Sequence, residues 1–459
     1  MNRENERKGV AKEYVDIKEF NTDIKKVISG EPTGMYDRYD YKELVGQEEK
    51  IAKMIGVPDT AIFNSGMSAI HTAIEAEGLK PGDVVLCSTD LYETTKEYVS
   101  GLEKQGVVIK YFDPSNIKKL KNKSHEFKPR LIVVETVSNS REMKVADLSA
   151  YAGLVKDVNK EYEAKRTIEK LLNNYLNFNK LTKEMSESFK QEFLQAFIQY
   201  KKDKKDSAFH EIRQKIINET GIDQKEATAL IVRAVKYVHS QQRDKLSLIV
   251  DNTLPSPILI NPIDEVGDKT DEMTVVESGT KHYQGGKNRI TLGVAYSKDL
   301  EKIKKIKDLR TKTGTYLQAV SGEELPQDIP ALMPENLKKH ARNALELAKT
   351  LEKEGFIVHH PNLKSHKQSE LANKIAPDGA VTLFYVDLPS SISDRDDFVD
   401  RVKKMGGDAI GIGSSFGHEK TWLSNFALGD RTIRIAVGME SPEDFSNVLD
   451  AFKKAIKLL

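Results

Sequence analysis

The chain is predicted to be an α/β protein. Its main body is a mostly parallel central sheet flanked by helices, followed by a smaller α+β domain and interrupted by an inserted helical subdomain. Three observations predict this. Short, continuously apolar runs such as Arg130–Glu135 and Leu246–Asp251 alternate with helical patterns, as strand–helix–strand units do. Asn64, Tyr92, Asn139, Asp251 and Lys281 all fall just after such runs or at their ends, where open parallel sheets place ligands. Residues 157–244 break the alternation with apolar stripes at helical spacing alone. The expected boundaries are an arm over 1–40, a large domain over 41–299 interrupted at about 157–244, and a small domain over 300–459.

Taken in order, the polar first 35 residues read as an arm lying on something else. Met35–Tyr41 crowds tyrosines around Arg38, and Tyr36 and Arg38 share one side of an extended segment. This pattern fits either a packed turn or an anion site. Glu43–Met54 is a helix with Leu44, Ile51 and Met54 on its apolar stripe. Thr60–Phe63 leads into Asn64-Ser65-Gly66 and a helix carrying Met67, Ile70 and Ile74. A glycine at a helix start lets free N–H groups approach a phosphate, while an N-cap by Asn64 or Ser65 explains the same letters. Strands follow at Val84–Cys87, Val107–Phe112 and Arg130–Glu135, the first leading to Asp90-Leu91-Tyr92 and the third to Ser138-Asn139.

Within the insertion, Gly221 reads as a helix stop, and Asp223 with Glu226 as the cap of the next helix. The sheet resumes at Leu246–Thr253, and Val275–Glu277 enters Ser278-Gly279-Thr280-Lys281. Two hydroxyls bracketing a glycine before a lone lysine suit an amine working beside an anion, although an ordinary loop lysine has the same letters. Asp299–Lys312 is a charged helix, Glu323–Pro334 a proline-punctuated crossing and Asn336–Glu354 a long helix. Strands at Val381–Leu388, Ala409–Ile412 and Arg431–Val437 and a terminal helix over 442–458 complete the small domain.

Bulk properties narrow the function. With 459 residues, 39% hydrophobic and 31% charged, the chain reads as a globular protein of two or three domains. A formal net charge of +1 gives no drive toward nucleic acid or acidic membranes. No apolar run reaches the length of a membrane span, and Met1–Lys8 lacks the apolar core of a secretory signal, so a cytoplasmic location is expected. The single cysteine, Cys87, sits inside an apolar run and reads as a buried structural thiol. No metal is expected.

Together, Asn64-Ser65-Gly66-Met67-Ser68-Ala69-Ile70, Asp90-Leu91-Tyr92, Glu135-Thr136-Val137-Ser138-Asn139, Val250-Asp251-Asn252-Thr253, Ser278-Gly279-Thr280-Lys281 and Arg434-Ile435-Ala436-Val437-Gly438 resemble the Cys/Met-metabolism enzymes dependent on pyridoxal phosphate (PLP). These are the transsulfuration group of fold type I. The resemblance implies that Lys281 forms the Schiff base with the cofactor and shuttles a proton, and that Asp251 keeps the pyridine nitrogen protonated. It implies phosphate contacts from Gly66, Met67, Ser278 and Thr280, and from Tyr36 and Arg38 of a neighbouring subunit. Tyr92 would stack on the ring and act as an acid/base, Asn139 would meet the ring hydroxyl, and Arg434 with Ser415 would take the substrate carboxylate. The implied activity is β/γ-elimination on a sulfur-linked amino acid, in a homodimer or homotetramer with shared active sites. A γ-replacement synthase is the alternative, and a PLP-fold interaction or regulatory protein using the helical insertion is a second one. Three stretches depart from the family pattern: Tyr36-x-Arg38, which lacks the Asn-Pro-Thr that usually follows, Glu324–Pro330, and the region after Ser415-Phe416-Gly417. These regions shape the substrate side of the pocket.

Overall fold

In the computed structural model, residues 16–29, 36–37, 41–165, 192, 195–196, 209–241, 245–424, 429 and 431–457 are described. The chain forms two compact units, residues 1–155 with 247–459, and residues 156–246.

The first unit contains both sheets. Seven strands make the larger one: β1 (Asp59–Phe63), β2 (Val84–Ser88), β3 (Val108–Phe112), β4 (Leu131–Glu135), β5 (Ser247–Asp251), β6 (Met273–Glu277) and β7 (Gly293–Ser297), in the order β1-β7-β6-β5-β4-β2-β3. Strands β4, β5 and β6 are buried along their whole length, which explains their unbroken apolar runs. The block from β3 to β6 is parallel, and β7 runs antiparallel to both β6 and β1. Two reversals bring β1 back to the direction of β6, so its carboxyl end, like those of β2, β4, β5 and β6, opens on one edge.

The smaller sheet has five strands: β8 (Ile357–His359), β9 (Leu383–Asp387), β10 (Ile410–Ile412), β11 (Thr421–Ser424) and β12 (Thr432–Ala436), ordered β10-β11-β12-β9-β8. Its core is shared with the larger sheet's loops: Val137, Met143, Val145 and Leu254 are buried in one cluster with Phe384, Val386 and Phe452. The loop after β4 is also clamped by polar bonds. Gln368 exchanges two hydrogen bonds with the backbone of Val145, and Arg141 pairs with Asp387.

The helix expected to start at Asn336 begins earlier, at Ile329, and runs to Lys353. Pro330 occupies the first turn, where no N–H is needed, and the Asp328 carboxylate accepts from Ala331 N at 3.1 Å. Residues 329–334, expected to be a crossing, are therefore helical.

The described part of the second unit includes the helices His210–Thr220 and Gln224–Gln241. Phe209, Ile212, Ile216, Ala227 and Ile231 are buried. Gly221 caps the first helix in the left-handed region, and the Asp223 carboxylate accepts from Glu226 N at 2.8 Å. The expected stripes over Ile168–Leu176 and Phe193–Tyr200 lie outside the described residues.

Candidate active site

The site forms where the carboxyl ends of β4, β5 and β6 stand side by side. In register, Glu135 faces Asp251, and Asp251 faces Val276. Each strand then delivers a loop: Asn139 after β4, Thr253 after β5 and Ser278–Lys281 after β6.

Lys281 lies in a single helical turn, Gly279–His282. Its Nζ donates to Ser415 Oγ at 2.9 Å and sits 5.1 Å from the centre of the Phe416 ring. Burial, reinforced by the positive charge of Arg434, lowers its pKa. Opposite this turn the small domain approaches closely: a Cβ on Gly417, which has φ +79, would stand 1.9 Å from the Lys281 carbonyl oxygen.

Ser278 and Thr280 brace the turn. Ser278 N donates to Thr253 Oγ1 at 2.8 Å, and Thr280 Oγ1 accepts from Leu292 N at 2.9 Å. Facing them is the start of the helix Gly66–Ala76, capped by Ser65, whose hydroxyl accepts from Ser68 N. A Cβ on Gly66 would lie 2.8 Å from Ser278 Cβ, so only glycine lets the helix start close on the lysine loop. Met67 sits in the same first turn, its sulfur accepting from Thr95 Oγ1 at 3.7 Å.

Asp251 is buried, with Oδ1 accepting from Thr253 N at 2.9 Å. Glu135 is buried beside it. Its two oxygens accept from the backbone N–H groups of Tyr92 and Asn139, so one carboxylate holds both loops. Burial raises the pKa of both acids, and the charge of Asp251 raises that of Glu135 further. Among the described residues, no lysine or arginine pairs with Asp251. A protonated pyridine nitrogen would fit this carboxylate. Tyr92 is 48% exposed at the start of the helix Glu93–Gly101.

On the small domain, Arg434 of β12 stands opposite Tyr385 of β9, and its Nη2 donates to the Ser414 carbonyl. Ser415, expected to assist Arg434, bonds Lys281 instead. Tyr36 is described, beside the buried Asp37, whose carboxylate accepts from Ala319 N at 2.9 Å. Arg38 lies outside the described residues.

The donor set fits pyridoxal phosphate: a deprotonation-prone lysine, a buried carboxylate without a cation, and a close-packed helix start faced by hydroxyls. The family described as Cys/Met metabolism PLP-dependent enzyme matches residues 17–167 and 197–456. The chain belongs to that family. It is therefore a PLP-dependent enzyme of Cys/Met metabolism.

The chain is similar to cystathionine beta-lyase of Neurospora crassa, 22% identical over 422 residues, which is 89% of this chain and 70% of that protein. Over 45% of this chain and 54% of its own length, cystathionine gamma-lyase of Dictyostelium discoideum is 28% identical. The crystal structure of metB from Corynebacterium glutamicum superposes with a TM-score of 0.62 at 19% identity, covering 92% of this chain and 87% of that one. The fold is that of the type I PLP enzymes. No helix among the described residues is long and apolar enough to cross a membrane.

Two residues at this site escaped the sequence reading. Glu135 was visible only as a letter of a motif, although a carboxylate ending an apolar strand is a usable signal. Tyr385 carried no signal, being one aromatic within the apolar run Val381–Leu388.

Proposed function

We propose that this enzyme is a C–S lyase, acting by β- or γ-elimination on an amino acid with sulfur on its side chain. The observation that carries the reading is the placement of Lys281, its amine depressed by burial and by Arg434, just after β6, while the buried carboxylate of Asp251 ends the neighbouring β5. The relative matching 89% of the chain is a cystathionine beta-lyase, which favours a lyase over the γ-replacement alternative.

When bound, pyridoxal phosphate supplies a carbonyl that joins amines and a ring that draws electrons from the substrate α-carbon. Lys281 Nζ holds that carbonyl at rest and then takes the proton from the substrate α-carbon, a role its lowered pKa suits. Ser415 Oγ keeps the amine in place. Asp251 holds the proton on the ring nitrogen. The N–H groups of Gly66 and Met67, with the hydroxyls of Ser278 and Thr280, hold the phosphate at a helix start. Tyr92 would pack against the bound cofactor and exchange protons near the leaving group, and Asn139 would donate to the ring oxygen. Arg434 grips the substrate carboxylate through its planar fork.

Tyr36 and Arg38 complete the phosphate site of a neighbouring subunit, so the working form is a homodimer or homotetramer, located in the cytoplasm. The domains are an arm over 1–40, a PLP-binding domain over 41–299 and a small domain over 300–459.

The test is to incubate the PLP-loaded enzyme with cystathionine, methionine, cysteine and O-acylhomoserines and to identify the products. A lyase releases a thiol, ammonia and a keto acid from a sulfur substrate alone. Turnover that requires an acylhomoserine plus a thiol, and yields a thioether, replaces this reading with the synthase. Lys281→Ala is expected to lose the visible cofactor band. An unchanged band overturns the assignment of Lys281.

A further inference from the structure

Tyr385 is 4% exposed and lies in the middle of the buried strand Leu383–Asp387. That hydroxyl donates to Asn139 Oδ1 at 2.9 Å, across the boundary between the two sheets. On its own sheet the ring stands directly opposite Arg434. Asn139 in turn donates its backbone N–H to Glu135 at 2.8 Å, and Glu135 faces Asp251 in register. A continuous polar line thus runs from Asp251 through Glu135, Asn139 and Tyr385 to Arg434. The charged groups facing the Tyr385 hydroxyl are Arg434 from β12 and Glu135 from β4.

An amide side chain has one accepting oxygen and one donating nitrogen. Once Tyr385 occupies Oδ1 of Asn139, the amide is fixed with its Nδ2 donor turned the other way. We propose that Tyr385 is a positioning residue that sets the Asn139 amide to donate to the cofactor ring oxygen and ties that amide to the carboxylate-binding Arg434. The inference rests on the assignment of Asn139 to the ring oxygen made above. It gives the buried hydroxyl a role: without it, the Asn139 amide loses the partner that fixes which of its two ends faces the cofactor.

The test uses the PLP-loaded protein without substrate. Tyr385→Phe removes only the hydroxyl, so the ring keeps its packing; thermal unfolding checks that the fold is retained. The first readout is the pH titration of the visible cofactor band. A donor to the ring oxygen favours the ionised oxygen and weakens its hold on the neighbouring nitrogen proton. Losing the donor is therefore expected to raise the midpoint by about 0.5 unit or more.

Asn139→Ala is expected to give a shift of the same sign, and adding Tyr385→Phe to Asn139→Ala should move the midpoint no further. In turnover, Tyr385→Phe should raise KM several-fold more than it lowers kcat, because Arg434 loses its cross-strand partner. A titration in Tyr385→Phe that matches the unaltered protein, while Asn139→Ala shifts, overturns the role of Tyr385 and leaves the Asn139 assignment standing. If Asn139→Ala also leaves the titration unmoved, the Asn139 assignment falls, and this inference with it.

Discussion

Gly417→Ala isolates how tightly the small domain holds the catalytic turn. The new Cβ would stand 1.9 Å from the Lys281 carbonyl oxygen, 2.6 Å from its carbonyl carbon and 3.1 Å from its Cα. All three are backbone atoms, so no side-chain rotation relieves the overlap. An ordinary contact needs roughly 3.2 Å or more, so the two backbones must part by about 1 Å. A second cost comes from φ +79, a left-handed backbone that costs an alanine roughly 1–2 kcal/mol.

Gly56→Ala separates the two costs. That residue has φ +86 but nothing within 4 Å of its Cβ, so it carries the backbone strain alone. Both variants should therefore lose about 1–2 kcal/mol from strain, and Gly417→Ala should lose more. A displacement near 1 Å at Lys281, which also breaks the 2.9 Å bond to Ser415, is expected to lower kcat/KM by on the order of a hundredfold. Gly56→Ala should stay within about threefold, since it displaces nothing in the site. The assays are thermal unfolding and steady-state kinetics on both variants. Equal loss of activity in the two, or a Gly417→Ala enzyme within threefold of the parent, refutes the argument that the contact with Lys281 sets the geometry.

Two further outcomes follow from buried charges. Arg310 and Glu48 are fully buried and paired, with Lys307 Nζ also 2.9 Å from Glu48. Arg310→Met should cost roughly 3–5 kcal/mol by leaving that carboxylate short of a partner, and adding Glu48→Gln should restore part of it in denaturant unfolding. Asp387 accepts from Arg141, His359 and Thr432. Burial alone would push its pKa up, but these bonds reverse the effect and bring it to about 2. Because the folded value lies below the unfolded one, its contribution is complete above about pH 4 and is lost as pH falls through about 2. That contribution is roughly 1–2 kcal/mol once the exposed position of Arg141 is allowed for. Asp387→Asn should flatten stability over that window, measured by unfolding at fixed pH values.

Much of this architecture was readable because parallel strands buried on both faces leave unbroken apolar runs, as Leu131–Glu135 and Ser247–Asp251 do. Asp251 and Lys281 stood out in the sequence for a related reason: one ends such a run and the other falls just after one, where open parallel sheets place ligands. The antiparallel β7 was not legible. Its five residues, Gly293–Ser297, follow a glycine-rich loop, and nothing local in them specifies direction. Pro330 and Pro334 looked like helix breakers, yet Pro330 falls in the first turn and Pro334 is carried inside the helix. The pairing of Arg310 with Glu48 was hidden for another reason. It joins two helices distant in the chain, and only their packing on the same strand, β1, brings the charges together.

The edge position of β1 has a consequence for how the molecule is made. Among the strands of its sheet this one pairs with β7 alone, and it carries the turn that leads to Gly66. During synthesis Asp59–Phe63 emerges early, but its partner Gly293–Ser297 follows only after β2 to β6 and the insertion have been translated. At typical elongation rates the wait is on the order of ten seconds or more. For that interval the nascent chain carries an orphaned strand, and the helix start at Gly66 has no lysine loop to close against. That interval is when this chain most needs protection from mispairing at its open edges.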